Sequence, residues 1–453
     1  MRKLITIFSF AGFVLSTSLA LGQQKPDTLH LTVKQAVDLA IQQNLMHKVT
    51  ELELQKKQEK VKEYMAALYP NIKASASYTR NLKLPVIFMP EGSPFGSTLT
   101  IGSDNSYSAS ISANSYSASI SASMPLFVYN VFESIRLGQK DVEISQEKLR
   151  ESKINLAANI KTTYYNVLLL RRTRDVINQS YQNAVANFNN IQKLNANGMV
   201  SDYDFIRIKV QVDNIYPNLV QTENAYTNLL NIFKVLLNID INTPVELDEK
   251  ELTNYNFSEM ALADSSWLSS NSTLRQLTLT RQMLSIQEKM VKGANYPSLV
   301  AIGNYQYQTQ ANDYKFSNYN WVPTSMVGLQ LNVPIFSGFS VRKQLSQVRI
   351  SQHQVDMQAQ FTQNNLTVQV QNAVNAVNAA VKKVNSAKGN VDLAEKGYTI
   401  AQTRYNTGQA TLLELNDAEN AMLQAKLNLI QAQLEYLTAK TDYEKILGEP
   451  FEK

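Results

Sequence analysis

A heptad repeat in the second half of the chain limits what this sequence can fold into. Its apolar positions step by four and three residues and stay in one frame, at Val370, Val374, Val377, Val381, Val384, Val391, Tyr398 and Tyr405. A sustained 3.5-residue repeat predicts a coiled-coil helix with a left-handed supercoil. We expect helices from about 132 to 195 and from about 341 to 406, each on the order of 100 Å long at 1.5 Å per residue. Such helices do not fit in a compact globule.

The chain also repeats one plan twice. The pair Tyr69-Pro70 recurs 227 residues later as Tyr296-Pro297, and the turn segment 194–205 recurs 210 residues later as 404–415. The order helix, strand pair, long helix, tight turn, helix therefore occurs in both halves. We expect a signal peptide at 1–22, a first repeat at 23–240, an equatorial segment between the repeats at 241–270 and a second repeat at 271–453.

Alternating segments predict two strands in each half, each with one apolar and one polar face. We expect lipid-facing positions at Ala118, Ile120, Ala122, Val327, Leu329 and Leu331. Four strands cannot close a membrane barrel, because such barrels start at about eight. Closure therefore needs further copies of the chain; the alternative is a soluble β-sandwich cap on a fibre. The segment 106–113 repeats the phrase at 115–122 and lengthens either a strand or an outer loop.

The rest of the composition excludes several classes of function. Basic Arg2 and Lys3 precede an apolar run that predicts a secretory leader, and no later apolar run is long enough for a membrane helix. The net charge of +5 includes no basic cluster beyond Arg171, Arg172 and Arg174, which is typical of a solvated helix face and does not indicate nucleic acid binding. The three His, at 30, 47 and 353, lie far apart, and the common catalytic motifs are missing. We therefore expect neither an enzyme nor a cofactor or metal site.

Several segments together resemble the TolC-type outer membrane efflux family. They are LTVKQAVDLAIQQN at 31–44, the two Tyr-Pro strand entries, MPLF at 124–127, VPIF at 333–336, NANGMVSDYDFIRIKV at 195–210 and YNTGQATLLELNDAENAM at 405–422. The resemblance implies an α+β fold in a homotrimer. Its twelve strands would form one outer-membrane barrel, continued by a coiled-coil tunnel through the periplasm.

The resemblance also implies a function and its partners. The protein would be the passive exit duct of a tripartite efflux or type I secretion system. It would dock a periplasmic adaptor (membrane fusion) protein and an inner-membrane RND or ABC-type transporter, while the barrel contacts outer membrane lipid. An exported trimeric fibre or adhesin is the alternative, but it leaves the matched strand pairs unexplained.

The two turns would form the tip of the tunnel. Expected adaptor contacts are Gly198, Met199, Val200, Gly408, Gln409 and Ala410. Glycine at each turn has a sufficient physical reason, since helices often end on a left-handed residue. The family narrows its tip with carboxylates that correspond here to Glu414 and Asp417. Thr411 and Glu414 also fit a helix-capping pattern, so Glu414 has two possible roles, whereas Asp417 has no capping role.

The family further ties its two tip turns together with a charged lock. The corresponding acid here is Asp204 and the corresponding tyrosine is Tyr405, but Ala410 replaces the family's arginine. Ser201 and Asp204 also fit the capping pattern. We expect a hydrogen bond between Tyr405 and Asp204 to remain, and the closed tip to be weaker than in relatives that carry the arginine.

Overall fold

The computed structural model describes residues 28–83, 87–88, 98–99, 112–249, 255–262, 264 and 266–448. The expected leader and most of the first copy of the duplicated phrase lie outside these residues. The described helices are α1 Val33–Gln43, α2 Leu45–Ala66, α3 Tyr129–Ala196, α4 Asp202–Leu237, α5 Trp267–Ser270, α6 Ser272–Gly293, α7 Ser340–Asn406 and α8 Leu412–Leu447. The described strands are β1 Leu29–Leu31, β2 Asn71–Arg80, β3 Ile87–Phe88, β4 Thr98–Leu99, β5 Asn114–Phe127, β6 Val245–Leu247, β7 Ser298–Ala311 and β8 Val322–Asn332.

The two halves contain matching elements of nearly equal length. Helices α2 and α6 have 22 residues each, and α4 and α8 have 36 each. The long helices α3 and α7 have 68 and 67 residues. The two long helices begin and end within three residues of the bounds expected from the heptad pattern. We call α3 and α4 the first hairpin, and α7 and α8 the second hairpin.

The four strands expected from the alternating segments form one antiparallel sheet with the order β2-β5-β7-β8. Its register places Ala118 beside Ala76 and Tyr307, and Ala301 beside Met124 and Leu329. Directly paired residues in an antiparallel ladder point to the same face. The expected apolar sets of all four strands therefore share one face, and the serines, asparagines and glutamines line much of the other.

The outer edges of this sheet are open. Among the described residues, β2 pairs only with β5 and β8 pairs only with β7. Side chains on the apolar face are also exposed to a degree unusual for a sheet, with Val327 at 91% and Leu329 at 69%. The described part of one chain therefore leaves both the edges and the apolar face of this sheet uncovered.

The main core lies where helices of the two hairpins meet α1. Tyr164 of α3, Phe233 of α4 and Tyr436 of α8 are completely buried there. The Tyr164 hydroxyl donates to the Leu31 carbonyl at 3.0 Å and so links α3 to the small parallel sheet formed by β1 and β6. In the described part of the chain, no helix combines the length and apolarity needed to cross a membrane.

A heptad seam explains how the second hairpin holds together. On α7 the valines from Val370 to Val384 are buried, and the later frame positions Val391, Tyr398 and Tyr405 are half-buried. The positions on α8 from Leu415 to Tyr436 that continue this spacing are likewise buried or half-buried. The coiled-coil packing expected from the sequence is therefore present in the structure.

Candidate functional site at the tip of the hairpins

Two short turns form the end of the molecule opposite the sheet. The first joins Ala196 to Asp202 and the second joins Asn406 to Leu412. Gly198 and Gly408 take the left-handed conformation, with φ of +70° and +73°. In each turn, the amide of the residue after the glycine donates a hydrogen bond to a carbonyl in the last turn of the preceding helix. These bonds run from Met199 N to Leu194 O at 2.9 Å and from Gln409 N to Arg404 O at 2.7 Å. Open space surrounds both glycines, so the backbone conformation alone explains them.

The helices that leave the turns are capped in the same way. Ser201 Oγ accepts from the Asp204 amide and Thr411 Oγ1 accepts from the Glu414 amide, both at 3.2 Å. Ser201 Oγ also donates to the Asp204 carboxylate at 2.7 Å. The capping interpretation of Asp204 and Glu414 therefore has direct geometric support in both turns.

Glu414 also has a basic partner that the sequence analysis missed. Arg404 Nη1 lies 3.7 Å from Glu414 Oε2, and Arg404 Nη2 donates to the Gln409 carbonyl at 3.0 Å. Both side chains are about half exposed, so this pair contributes little to stability. Arg404 and Glu414 lie on either side of the second turn, so their spacing in the sequence was sufficient to predict this pair. Both contacts of Arg404 stay within the second hairpin, so this arginine does not link the two hairpins.

An apolar cluster joins the two hairpins behind the turns. Ile191 and Ile208 of the first hairpin and Leu412 of the second are buried in it, and Phe188, Val200, Phe205 and Tyr405 pack around them. Burial, followed by the negative charge of Asp204, raises the pKa of Tyr405. Tyr405 also packs in the same cluster as Phe205, which follows Asp204 in the chain, so the two groups lie in one region of the tip. No hydrogen bond joins them among the described residues, where the Asp204 carboxylate accepts from Ser201.

The expected docking residues occupy equivalent places in the two turns. Met199 and Gln409 are exposed, whereas Val200 and Ala410 are half-buried. Asp417 is exposed on α8, three residues after Glu414, and forms no hydrogen bond or ion pair within the described chain. Its carboxylate is therefore available to a ligand or to other copies of the chain.

At the end of the molecule opposite the two turns, aromatic side chains cluster where the strands are farthest from the helices. Tyr78 stacks on Tyr116 with ring centroids 4.9 Å apart, and Phe316 and Tyr319 lie within 5.7 Å of Tyr116. A second pair, Tyr129 and Tyr296, lies where the helices meet the sheet. The sequence analysis did not identify either of these two aromatic groups.

Known proteins share this architecture. Over 92% of its length the chain superposes on the CmeC outer membrane channel of Campylobacter jejuni, covering 85% of that chain with a TM-score of 0.70 at 15% identity. It covers 97% of the outer membrane protein VceC of Vibrio cholerae, using 93% of its own length, with a TM-score of 0.68 at 15% identity. The outer membrane protein TolC of Escherichia coli is 23% identical over 380 residues, which are 79% of this chain and 75% of that protein.

The sheet, the hairpins and the tip therefore share the fold of these outer membrane channels. The outer membrane efflux protein family matches residues 36–237 and 265–449, and the chain belongs to that family. It is an outer membrane efflux channel protein and not an enzyme. The family expected from the sequence motifs is confirmed.

Proposed function

We propose that three copies of the chain form a passive exit duct of a tripartite efflux or type I secretion system. The observation that carries this proposal is a sheet with two open edges and an exposed apolar face, continuous with two long hairpins that end in paired turns. No backbone group in hydrocarbon can remain unpaired, so such a sheet is usable in a membrane only when it closes. An exported fibre would leave the apolar face in water.

The size of the apolar face suits an outer membrane. Eleven residues separate Tyr116 from Phe127 along β5, which is roughly 36 Å of strand at about 3.3 Å per residue. A strand tilted by about 40° then spans roughly 28 Å, close to the band of about 25 Å in outer-membrane barrels. Three copies would bring twelve strands to one barrel, above the minimum of about eight.

Exposed apolar stripes on the hairpins support contact between copies. On α4, Tyr203, Ile206 and Val210 follow helical spacing and are each more than half exposed. On α7, Leu393 and Ile400 are exposed in a similar way. They lie 15 and 8 residues before Gly408, and the α4 stripe lies 5 to 12 residues after Gly198, so the two stripes overlap in their distance from the turns. We propose that the α4 stripe of one copy packs on the α7 stripe of the next, which continues the closure of the sheet into a tunnel.

Asp417 is the proposed constriction at the tip. Three copies would place three carboxylates around the axis, where they repel anions, attract cations and resist closure when ionised. Glu414 lies near them but faces Arg404, which partly neutralises it. Asp417 has no such partner in the described chain and so would dominate the constriction.

Asp417→Ala tests the duct and its constriction together. In planar bilayers the purified wild type should show a small conductance that divalent cations block, and the variant should show a higher conductance with weaker block. The control is Asp392→Asn, which removes an exposed carboxylate from α7 well away from the turn. The absence of channels from every variant would contradict the duct, whereas unchanged cation block would contradict the role of Asp417.

We also propose that Tyr405 donates a hydrogen bond to Asp204 in the closed trimer. The two groups already lie close enough for the Asp204 charge to raise the pKa of Tyr405. Tyr405→Phe removes the hydroxyl and keeps the ring in the apolar cluster. A lost bond to a charged acceptor, about 1 to 2 kcal/mol, should shift the tip toward opening about 5- to 30-fold. Unchanged open probability in single-channel recordings would contradict this lock.

The exposed turn residues are the proposed docking surface for an adaptor protein. Met199 is 73% exposed at the tip, and Met46, on α2, is 74% exposed away from it. Met199→Asp should abolish dye efflux from cells that carry it as their only copy, while the purified channel keeps its conductance. Met46→Asp is the matched control and should preserve efflux. Equal efflux by both variants would contradict docking at the tip.

A further inference from the structure

Glu419 is a buried carboxyl group that the duct mechanism does not use. It lies on α8 eleven residues after Gly408, and its side chain is 0% exposed. Within the described chain neither carboxylate oxygen has a hydrogen-bond partner of normal geometry. Asn416, one turn earlier on the same helix, is also buried with both amide atoms unpaired. Unpaired buried polar groups of this kind are rare and costly.

The surroundings of Glu419 belong to the contact between the two hairpins. The amide of Asn183 on α3 is the nearby polar group from the first hairpin. Ser180 and Ala184, on the same stretch of α3, are buried as well. We call this contact between α3 and α8 the hairpin seam. Glu419 is therefore placed where the first hairpin packs on the second, between the tip cluster and the main core.

Among the described residues, no positively charged group faces Glu419 from the elements packed against it. From residue 176 to 192, α3 carries no charged side chain, and its titratable Tyr181 is only half-buried. From α7 the facing titratable group is Tyr398, whose pKa is raised by burial and then by the charge of Glu419. Lys426, the next lysine along α8, is paired with Glu395 of α7 at 2.9 Å. On α8 itself, Asp417 is exposed and adds only another negative charge.

These surroundings accommodate the neutral acid and not the ion. An ionised carboxylate that is buried without a partner loses its hydration and gains nothing in return. Burial accordingly raises the pKa of Glu419, with a smaller opposing effect from Asn183. If the seam opens, water reaches the carboxyl group and its pKa returns toward that of an ordinary glutamate.

We propose that Glu419 makes the hairpin seam respond to protons: the neutral acid holds the two hairpins together and the ionised carboxylate loosens them. The effect of this switch on transport rests on the proposed duct. In that duct, a looser hairpin seam lets the second hairpin move, and the tip opens. The stabilisation is fully present below the ordinary carboxyl pKa and is lost as pH rises through the raised pKa of the closed seam.

Hydrogen exchange of the full-length protein in detergent tests the seam directly. Between the ordinary and the raised pKa, amide protection in 180–191 and 412–423, corrected for intrinsic exchange, should fall roughly tenfold per pH unit. Glu419→Gln keeps the shape but cannot ionise, so its protection should not depend on pH. Asp392→Asn is the control and should behave like the wild type. Glu419→Met repeats the test with a neutral side chain of different shape.

Two results would overturn the proposal. One is protection in the wild type that does not change with pH. The other is a pH dependence that persists in both neutral variants.

Conductance recorded at the same pH values separates this proposal from that of the duct. If protection depends on Glu419 but no preparation forms channels, then the duct is wrong and the proton-sensitive seam stands. If channels form but their open probability is the same in the wild type and in the Glu419 variants, then the hairpin seam does not control the tip.

Discussion

The unpaired edges of the four-stranded sheet are the constraint on which the other features depend. A strand edge presents a row of unsatisfied amide and carbonyl groups, which hydrocarbon does not tolerate. The apolar face of this sheet, with Val327 almost fully exposed, has no covering layer within one described chain. Lipid outside and further strands at both edges would satisfy these two requirements together. In the proposed assembly, neighbouring copies would supply the strands that the described sheet lacks at its edges.

The hairpins need contacts that hold their helices together in water. The second hairpin is held by its heptad seam, and the two hairpins are joined by the apolar tip cluster, the main core and the hairpin seam at Glu419. The apolar contacts fix the hairpins firmly near the core, where Tyr164 and Tyr436 are fully buried. Nearer the tip the contact is smaller and includes unpaired polar atoms. Such a gradient favours motion at the tip over motion near the sheet.

Periodicity made much of the fold predictable from the sequence. The heptad frame of Val370 to Val384 and the alternation around Ile120 each repeat over many residues. One atypical residue therefore does not change the predicted helix or strand. The bounds of α3 and α7 and the shared face of the four strands followed from these patterns. The left-handed glycines at 198 and 408 were predictable because a helix end demands that conformation.

Features that depend on pairing between distant segments were not predictable in the same way. The parallel pairing of β1 with β6 joins three-residue strands that are too short to show a pattern. Burial of Glu419 depends on α3 packing against a second face of α8, which the heptad seam toward α7 does not reveal. The expected Tyr405 to Asp204 hydrogen bond and the constriction at Asp417 remain proposals, because both concern an assembly larger than one chain.

Disulfide cross-linking of the open edges tests the closure of the sheet most directly. The chain has no cysteine, so Ala74→Cys on β2 can be combined with cysteine at 327, 329 or 331 on β8. Within one chain these edges are separated by roughly 14 Å, at about 4.8 Å per strand step, beyond the reach of about 7 Å for a disulfide. Closure predicts covalent trimers for at least one pair after oxidation in the membrane, with single-cysteine variants remaining monomeric. Monomers from every pair would contradict the closed barrel.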